Sequence, residues 1–247
     1  MAIILAAGIS SRMNTGLPKV LYNVCDRPIL SYVLDACRAV GVSKIYVVVG
    51  YGADKVRASF NGADDIVWVT QDEQKGTAHA VLCCKQYLRG FDGETLVLCG
   101  DGPLIRAEIL EKLIEKHSPE TAVTLATAIL DDPSGYGRVL RASDGSIRGI
   151  VEHNDCSSEQ LAVKEVNPSY YLFNNKVLFN AAGRVKPDNV KKEYYLTDAI
   201  SIIISDGLKV SAVTAVRSEE AMSVNTREQL RRVNEIMCQR LKQEKKE

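Results

Sequence analysis

Ala2-Ile3-Ile4-Leu5-Ala6-Ala7-Gly8 is the stretch that decides the fold. It reads as a short buried strand closed by small residues. It has no basic region before it and no cleavage site after it, so it does not read as a signal peptide. Helical spacing follows at Leu30, Val33, Cys37 and Val40, and Gly41 stops that helix. Residues 44–49 are rich in β-branched side chains and end at Gly50 and Gly52. A short helix at 54–60, a strand at 66–70 and a helix at 77–88 come next, with Thr77 expected as the cap of the last. Residues 95–99 form another buried strand, closed by Gly100-Asp101-Gly102-Pro103, and 105–117 is again helical. Apolar strands joined by helices predict a parallel sheet with helices on both faces.

The second half has a different pattern. Residues 121–130 read as a long strand, and 138–141 and 147–151 as a hairpin turning at Ser143-Asp144-Gly145. Polar residues 154–160 are expected to form a mobile loop, and 163–173 a further strand. A helix at 196–205, a strand at 210–216 and a final helix at 226–245 complete the chain. That last helix aligns Leu230, Val233, Met237 and Leu241 on one stripe. The fold class is therefore α/β, a Rossmann-like doubly wound, mixed and mostly parallel sheet with an added β-hairpin.

Composition narrows the function. The 247 residues carry no net charge, which argues against a nucleic-acid partner. No apolar run reaches membrane-spanning length, so no membrane partner is expected and the protein is expected to be cytoplasmic. The seven cysteines form no C-x-x-C pair and no zinc spacing, and they are expected as reduced thiols. His79, His117 and His153 are expected at the surface or in packing.

In such a sheet ligands bind at the carboxyl ends of the strands, here Gly8, Gly50, Gln71 and Asp101. Leu5, Ala6, Ala7 and Gly8 let a nucleotide lie against the backbone. Arg12 and Lys19 bring positive charge to that loop, and Pro18 stiffens the approach to Lys19. No Gly-Lys-Ser/Thr occurs, which excludes a Walker loop, and the single glycine excludes a dinucleotide fingerprint. Asp101 between two glycines can hold magnesium, which takes one or two protein oxygens plus substrate phosphates. It can equally be a turn aspartate. Gln71 can pair with a base edge, and Gly76 can offer its N–H, although a solvated loop carries the same residues.

Taken together, these segments resemble the sugar-1-phosphate nucleotidyltransferases. The resemblance runs through residues 5–13 with Leu17-Pro18-Lys19, Gln71 to Thr77, and Cys99-Gly100-Asp101-Gly102-Pro103-Leu104. It continues in Asp132-Pro133-Ser134-Gly135-Tyr136-Gly137-Arg138, Ile150-Val151-Glu152-His153, Glu193-Tyr194-Tyr195-Leu196-Thr197-Asp198 and Val224-Asn225-Thr226-Arg227. Order and spacing look most like the uridyltransferase domain of the bifunctional N-acetylglucosamine-1-phosphate uridyltransferases.

The resemblance implies a nucleotidyltransferase domain at 1–226, with the hairpin as a sugar-binding lobe, and a C-terminal helix and charged tail at 227–247. It implies magnesium-dependent transfer of UMP from UTP to N-acetylglucosamine-1-phosphate. Leu5, Ala6, Ala7 and Gly8 would hold the nucleotide, Gln71 and Gly76 would read uracil, and Thr77 would touch the nucleotide or sugar side. Cys99 and Gly100 would flank Asp101. Asp101 and Asn225 would ligate magnesium, while Arg12 and Lys19 would steady the phosphates. Gly137, Glu152 and Asn167 would bind the sugar, with Tyr195 and Thr197 lining the same pocket. Four positions depart from the family pattern: Ser10 stands where glycine is usual, Pro168-Ser169 where Thr-Gly is usual, and Cys99 where tyrosine is common. Acetyl transfer, the second activity of the bifunctional enzymes, is not expected of these residues. The oligomeric state stays open. Within the enzyme class the alternative is a nucleotidyltransferase for another sugar-1-phosphate such as glucose-1-phosphate. Two readings from other classes compete: a catalytically silent homologue, which Lys19, Asp101 and Asn225 oppose, and a dinucleotide-dependent oxidoreductase, which the missing fingerprint opposes.

Overall fold

The structure is a computed structural model that describes residues 1–8 and 16–244. The first strand, β1 (Ala2–Ala6), is followed by a 3-10 turn at Lys19–Leu21 and a small hairpin, β2 (Asn23–Val24) with β3 (Arg27–Pro28). Then come α1 (Ile29–Ala39), β4 (Ile45–Val49), α2 (Ala53–Ser59) and β5 (Ile66–Thr70). The half closes with α3 (Thr77–Cys83), α4 (Lys85–Leu88), β6 (Glu94–Cys99) and α5 (Ala107–Lys116). The second half contains β7 (Thr121–Ile129), β8 (Gly137–Arg141), β9 (Ile147–Val151) and α6 (Ser158–Leu161). It continues with β10 (Glu165–Asn167), β11 (Tyr170–Asn174), α7 (Asn175–Ala182), α8 (Leu196–Ser205), β12 (Lys209–Thr214) and α9 (Arg227–Glu244).

Among the described residues the large sheet has ten strands, ordered β5-β4-β1-β6-β11-β7-β10-β8-β9, with β12 also paired to β7. β5, β4, β1 and β6 are parallel, in the register Ala6 beside Val49, Val49 beside Thr70 and Leu5 beside Cys99. That register brings the ends of all four strands to one edge. β1 lies between β4 and β6, so the winding reverses at β1, and a crevice opens where the chain leaves β1 and β6. β4 is buried at every position because helices cover both faces. Two apolar layers result. One includes Leu30, Val33 and Leu110 under α1 and α5, and the other Val81, Leu178 and Ile200 under α3, α7 and α8. A third cluster joins Val24, Ile29 and Leu104 to Val233, Ile236 and Met237 of α9. The sequence stripe is thus the packed face of that helix at Val233 and Met237, while Leu230 and Leu241 are its half-buried margin.

Several expectations change. Cys25, in the β2–β3 turn, is joined by a disulfide to Cys238 of α9, with their Cα atoms 6.0 Å apart. Two of the seven thiols expected to be reduced are therefore paired, across 213 residues of sequence. The other five are free; burial pushes Cys37 up to about 12 and so keeps it protonated. The polar stretch expected as a mobile loop is ordered instead. It makes a 3-10 turn at His153–Asp155 and then α6, where Ser157 and Gln160 form a reciprocal capping box. The strand expected over 163–173 breaks into β10 and β11 because Pro168 cannot donate and Ser169 turns to φ +65°. The helix α7, capped by the Asn174 side chain, has no counterpart in the sequence-based expectation. Among the described residues no helix is long and apolar enough to cross a membrane.

Candidate active site at the carboxyl edge of the sheet

Two clefts open along the strand ends and share a wall. The first, of about 390 Å³, is lined by Leu5, Ala6, Ala7 and Gly8 from the end of β1, by Lys19, by Gln71, Gly76 and Thr77 after β5, and by Cys99 and Asp101 after β6. The second, of about 230 Å³, is lined by Gly137, Glu152, Asn167 and Asn225 from the second half, again with Cys99 and Asp101. Asp101 stands at the junction because β6 pairs parallel with β1 on one side and antiparallel with β11 on the other.

At that junction three groups from distant parts of the chain converge. The Lys19 ammonium donates to a carboxylate oxygen of Asp101 and, at 2.9 Å, to Oδ1 of Asn225. Pro18 precedes Lys19 at the start of its 3-10 turn, with φ −52°. Asn225 is oriented by its own amide, since Nδ2 donates to the Ser223 hydroxyl at 2.9 Å and Oδ1 is left to face the cation. Gln229 accepts from the Asn225 and Thr226 N–H groups, and Thr226 Oγ1 accepts from Gln229 N, a capping box that starts α9. The backbone N–H of Val224 donates to the Asp101 carbonyl at 2.9 Å. Behind these loops the fully buried Glu220 carboxylate pairs with Arg106 at 2.7 Å and accepts from the Arg217 N–H at 3.0 Å. It clamps the segment after Asp101 to the segment before Asn225.

The Gly76 end of the first cleft is held from behind. Gly76 has φ +110°, and a Cβ there would lie 2.6–2.7 Å from the backbone of Tyr194. Tyr194 N donates to Lys75 O and Tyr194 O accepts from Ala78 N, both at 2.8 Å. Only glycine allows this approach. Thr77 does not cap its own helix: Gly76 is the cap residue, and Thr77 Oγ1 accepts the Leu196 N–H at 2.8 Å, at the start of α8. Thr77 thereby serves both cleft wall and helix. Gly100 packs against β1, its N–H bonded to Leu5 O at 2.9 Å, and does not line either cleft.

In the second cleft Glu152 is a half-buried acceptor. Burial raises its carboxyl above the usual range, and the Thr197 hydroxyl, donating at 3.0 Å, opposes that shift. Gly137 leaves room beside it: a Cβ would lie 3.1 Å from Ile150 and 3.5 Å from Glu152 Oε1. Asn167 is tied inward, donating to Tyr171 Oη at 2.6 Å and accepting the Ser169 N–H at 3.1 Å. Thr197 stands behind Glu152 and lines neither cleft. Tyr195 faces a separate neighbouring groove with Asp155 and Asp198, not the second cleft. Burial, with the Asp101 charge added, pushes the Cys99 thiol up to about 12, so it is no nucleophile. Arg12 and Ser10 lie outside the described residues.

Other contributors had weaker signals in sequence. Tyr136, Ser223 and Gln229 line the second cleft, and Gln74 and Glu193 the first. The Thr226-to-Gln229 spacing is a capping-box signature that could have marked Gln229. His79, expected as surface or packing, lies 2.9 Å from the Gln71 amide.

The comparisons with known proteins agree with this geometry. A family model described as the MobA-like NTP transferase domain matches residues 2–156. Bifunctional protein GlmU from Geobacillus sp. (strain WCH70) is 44% identical over 241 residues, 97% of this chain and 52% of that protein. GlmU from Clostridium acetobutylicum and from Listeria monocytogenes are each 42% identical with the same coverage. This chain thus spans about half the length of the curated relatives it matches. A crystal structure titled as a glucose-1-phosphate thymidylyltransferase from Bacillus anthracis, in complex with a sucrose, superposes with a TM-score of 0.76 at 19% identity. That match covers 95% of this chain and 94% of the other, and it shows the shared fold. With more than half of its length matched by that family model, the chain belongs to the MobA-like NTP transferase domain family.

Proposed function

We propose that the protein transfers UMP from UTP to N-acetylglucosamine-1-phosphate, giving UDP-N-acetylglucosamine and pyrophosphate. The observation that carries this reading is the pair of clefts meeting at Asp101. One has small, backbone-rich walls suited to a nucleotide, and the other has polar side chains suited to a sugar. The GlmU relatives, matched over nearly all of this chain, supply the choice of substrates.

The residues at the junction fit a magnesium ion. Asp101 and Asn225 turn two oxygens on one cationic atom, the Lys19 ammonium, and so form a ready seat for positive charge. Among the described residues no cluster of three acidic, cysteine or histidine side chains competes with it. Two protein oxygens are what magnesium uses beside substrate phosphates. When bound, the ion supplies charge stabilisation to the phosphates.

The rest is positioning. Leu5 to Gly8 hold the nucleotide, Gln71 and Gly76 read its base, and Thr77 walls the same cleft. Glu152, Gly137 and Asn167 place the sugar so that its phosphate oxygen is in line with the α-phosphorus. That oxygen attacks, and pyrophosphate leaves; no protein nucleophile is needed. Lys19 steadies the phosphates in transfer and Arg12 the departing pyrophosphate. Residues 1–226 carry this chemistry, with the C-terminal helix as an appended brace. Pyrophosphate release over a grid of triphosphates and sugar-1-phosphates tests the reading. UTP with N-acetylglucosamine-1-phosphate should give the highest kcat/KM, and preference for glucose-1-phosphate would replace the acetylated sugar as substrate.

A further inference from the structure

Gln71 stands at the end of β5, only 3% exposed, and its amide nitrogen has two partners. Nε2 donates to the Gly76 carbonyl at 3.1 Å and lies 2.9 Å from Nδ1 of His79 on α3. A carbonyl oxygen can only accept, so the nitrogen must be on this side of the amide. Both of its N–H bonds are then used. The bond to His79 forms only when Nδ1 carries a lone pair, which is the neutral ring with its proton on Nε2. What remains of Gln71 for a ligand is Oε1, an acceptor, which has no hydrogen bond among the described residues. Among the same residues the Gly76 N–H donates to no protein group. The base end of the cleft therefore shows one acceptor beside one donor.

Uracil presents N3–H beside a carbonyl and complements that pair. Cytosine presents a lone pair at N3 beside an amino group and opposes it at both atoms. Gln71 alone would not enforce the difference. Rotating its amide by half a turn would offer Nε2 to N3 of cytosine and remove one of the two mismatches. The Gly76 carbonyl resists that turn weakly, because it is already shared with the Ala80 N–H at 3.1 Å.

We propose that His79 is the specificity-determining positioning residue for the nucleobase. It holds the Gln71 amide with its oxygen toward the ligand, and so selects UTP over CTP without touching either. This role rests on the assignment of Gln71 to the base site.

The test is kcat/KM for UTP and for CTP in the full chain and in three variants. His79→Leu should lower the UTP-to-CTP ratio by about tenfold, the scale of one net hydrogen bond. His79→Asn, which can place an acceptor oxygen near the position of Nδ1, should keep most of the ratio. If His79→Leu weakens both nucleotides equally and leaves the ratio alone, His79 only packs, and the proposal is overturned. In the unsubstituted chain, 15N spectra of the His79 ring should show the proton on Nε2; a proton on Nδ1 overturns the proposal without any variant. Gln71→Ala separates the two ideas. An unchanged ratio there removes Gln71 from the base site, whereas a collapsed ratio there with an intact one in His79→Leu removes His79 alone.

Discussion

β5, β4, β1 and β6 run parallel, whereas β6, β11, β7, β10, β8 and β9 pair antiparallel in succession, and the two regimes meet at Asp101. The cleft of the parallel half is walled mainly by strand ends and a glycine held on a neighbouring backbone. The antiparallel half presents side chains, Glu152 and Asn167, each braced by a second side chain. A cleft made of backbone is set by topology, while a cleft made of braced side chains can be retuned by single substitutions. The first should tolerate little change and the second should drift in what it accepts.

Asp101 belongs to both halves, so its loss should be the most damaging. Asp101→Ala is expected to lower kcat by at least about a hundredfold at saturating magnesium, the scale of losing a main charge stabiliser. Near-normal turnover would show that the two clefts do not share a reaction centre. Gly76→Ala strikes the backbone-built side. The added methyl has no room against Tyr194, and the φ disfavours alanine. KM for UTP should rise roughly tenfold or more while KM for the sugar phosphate stays within about twofold. Equal loss of both substrates would dissolve the contrast between the halves.

Glu152→Gln probes the other side. KM for the sugar phosphate should rise about fivefold, with KM for UTP little changed. The same variant has a stability signature. Burial raises the Glu152 pKa on folding, so folding favours its protonated form. That contribution is fully present below the ordinary glutamate value and is lost as pH rises through the raised one. The variant should therefore melt higher than the parent at pH 8 and equal to it near pH 4. A lower Tm at pH 8 would mean that the carboxylate is stabilised where it lies. The smallest effect is expected at Ser169, whose φ of +65° suits glycine. Ser169→Gly should gain about 0.5–1 kcal/mol, a Tm rise of roughly 2 °C.

The same contrast explains what could be read in advance. Strands ending at Ala6, Val49, Thr70 and Cys99 were legible because each is a short apolar run closed by a turn residue, and parallel packing then aligns them without further information. Asp101 and Asn225 were paired only through the family resemblance, because the convergence of Lys19 and Asn225 depends on a fold that joins residues 206 apart in sequence. The Cys25–Cys238 pair was missed for the same reason. Local signals were outvoted elsewhere: Thr77 has the chemistry of a cap, but its hydroxyl is claimed by α8, which no window around it contains. Tyr195 shares a motif with Thr197, but near the start of α8 Tyr195 faces a groove while Thr197 is buried against Glu152. His79 had no visible partner until β5 and α3 were placed side by side.

The disulfide between Cys25 and Cys238 has a topological consequence. Lys19 precedes the first of these cysteines by a short segment, and Asn225 lies just before α9, which carries the second. With the bridge closed, the polypeptide between them is a ring, closed where the β2–β3 turn meets α9. Denaturing the sheet would open the ring without cutting it. The lysine and the asparagine would remain within a short tether of each other, although almost the whole sequence separates them along the chain. Two groups distant in the gene would thus be kept neighbours by covalent closure, even in a molecule that has lost its shape.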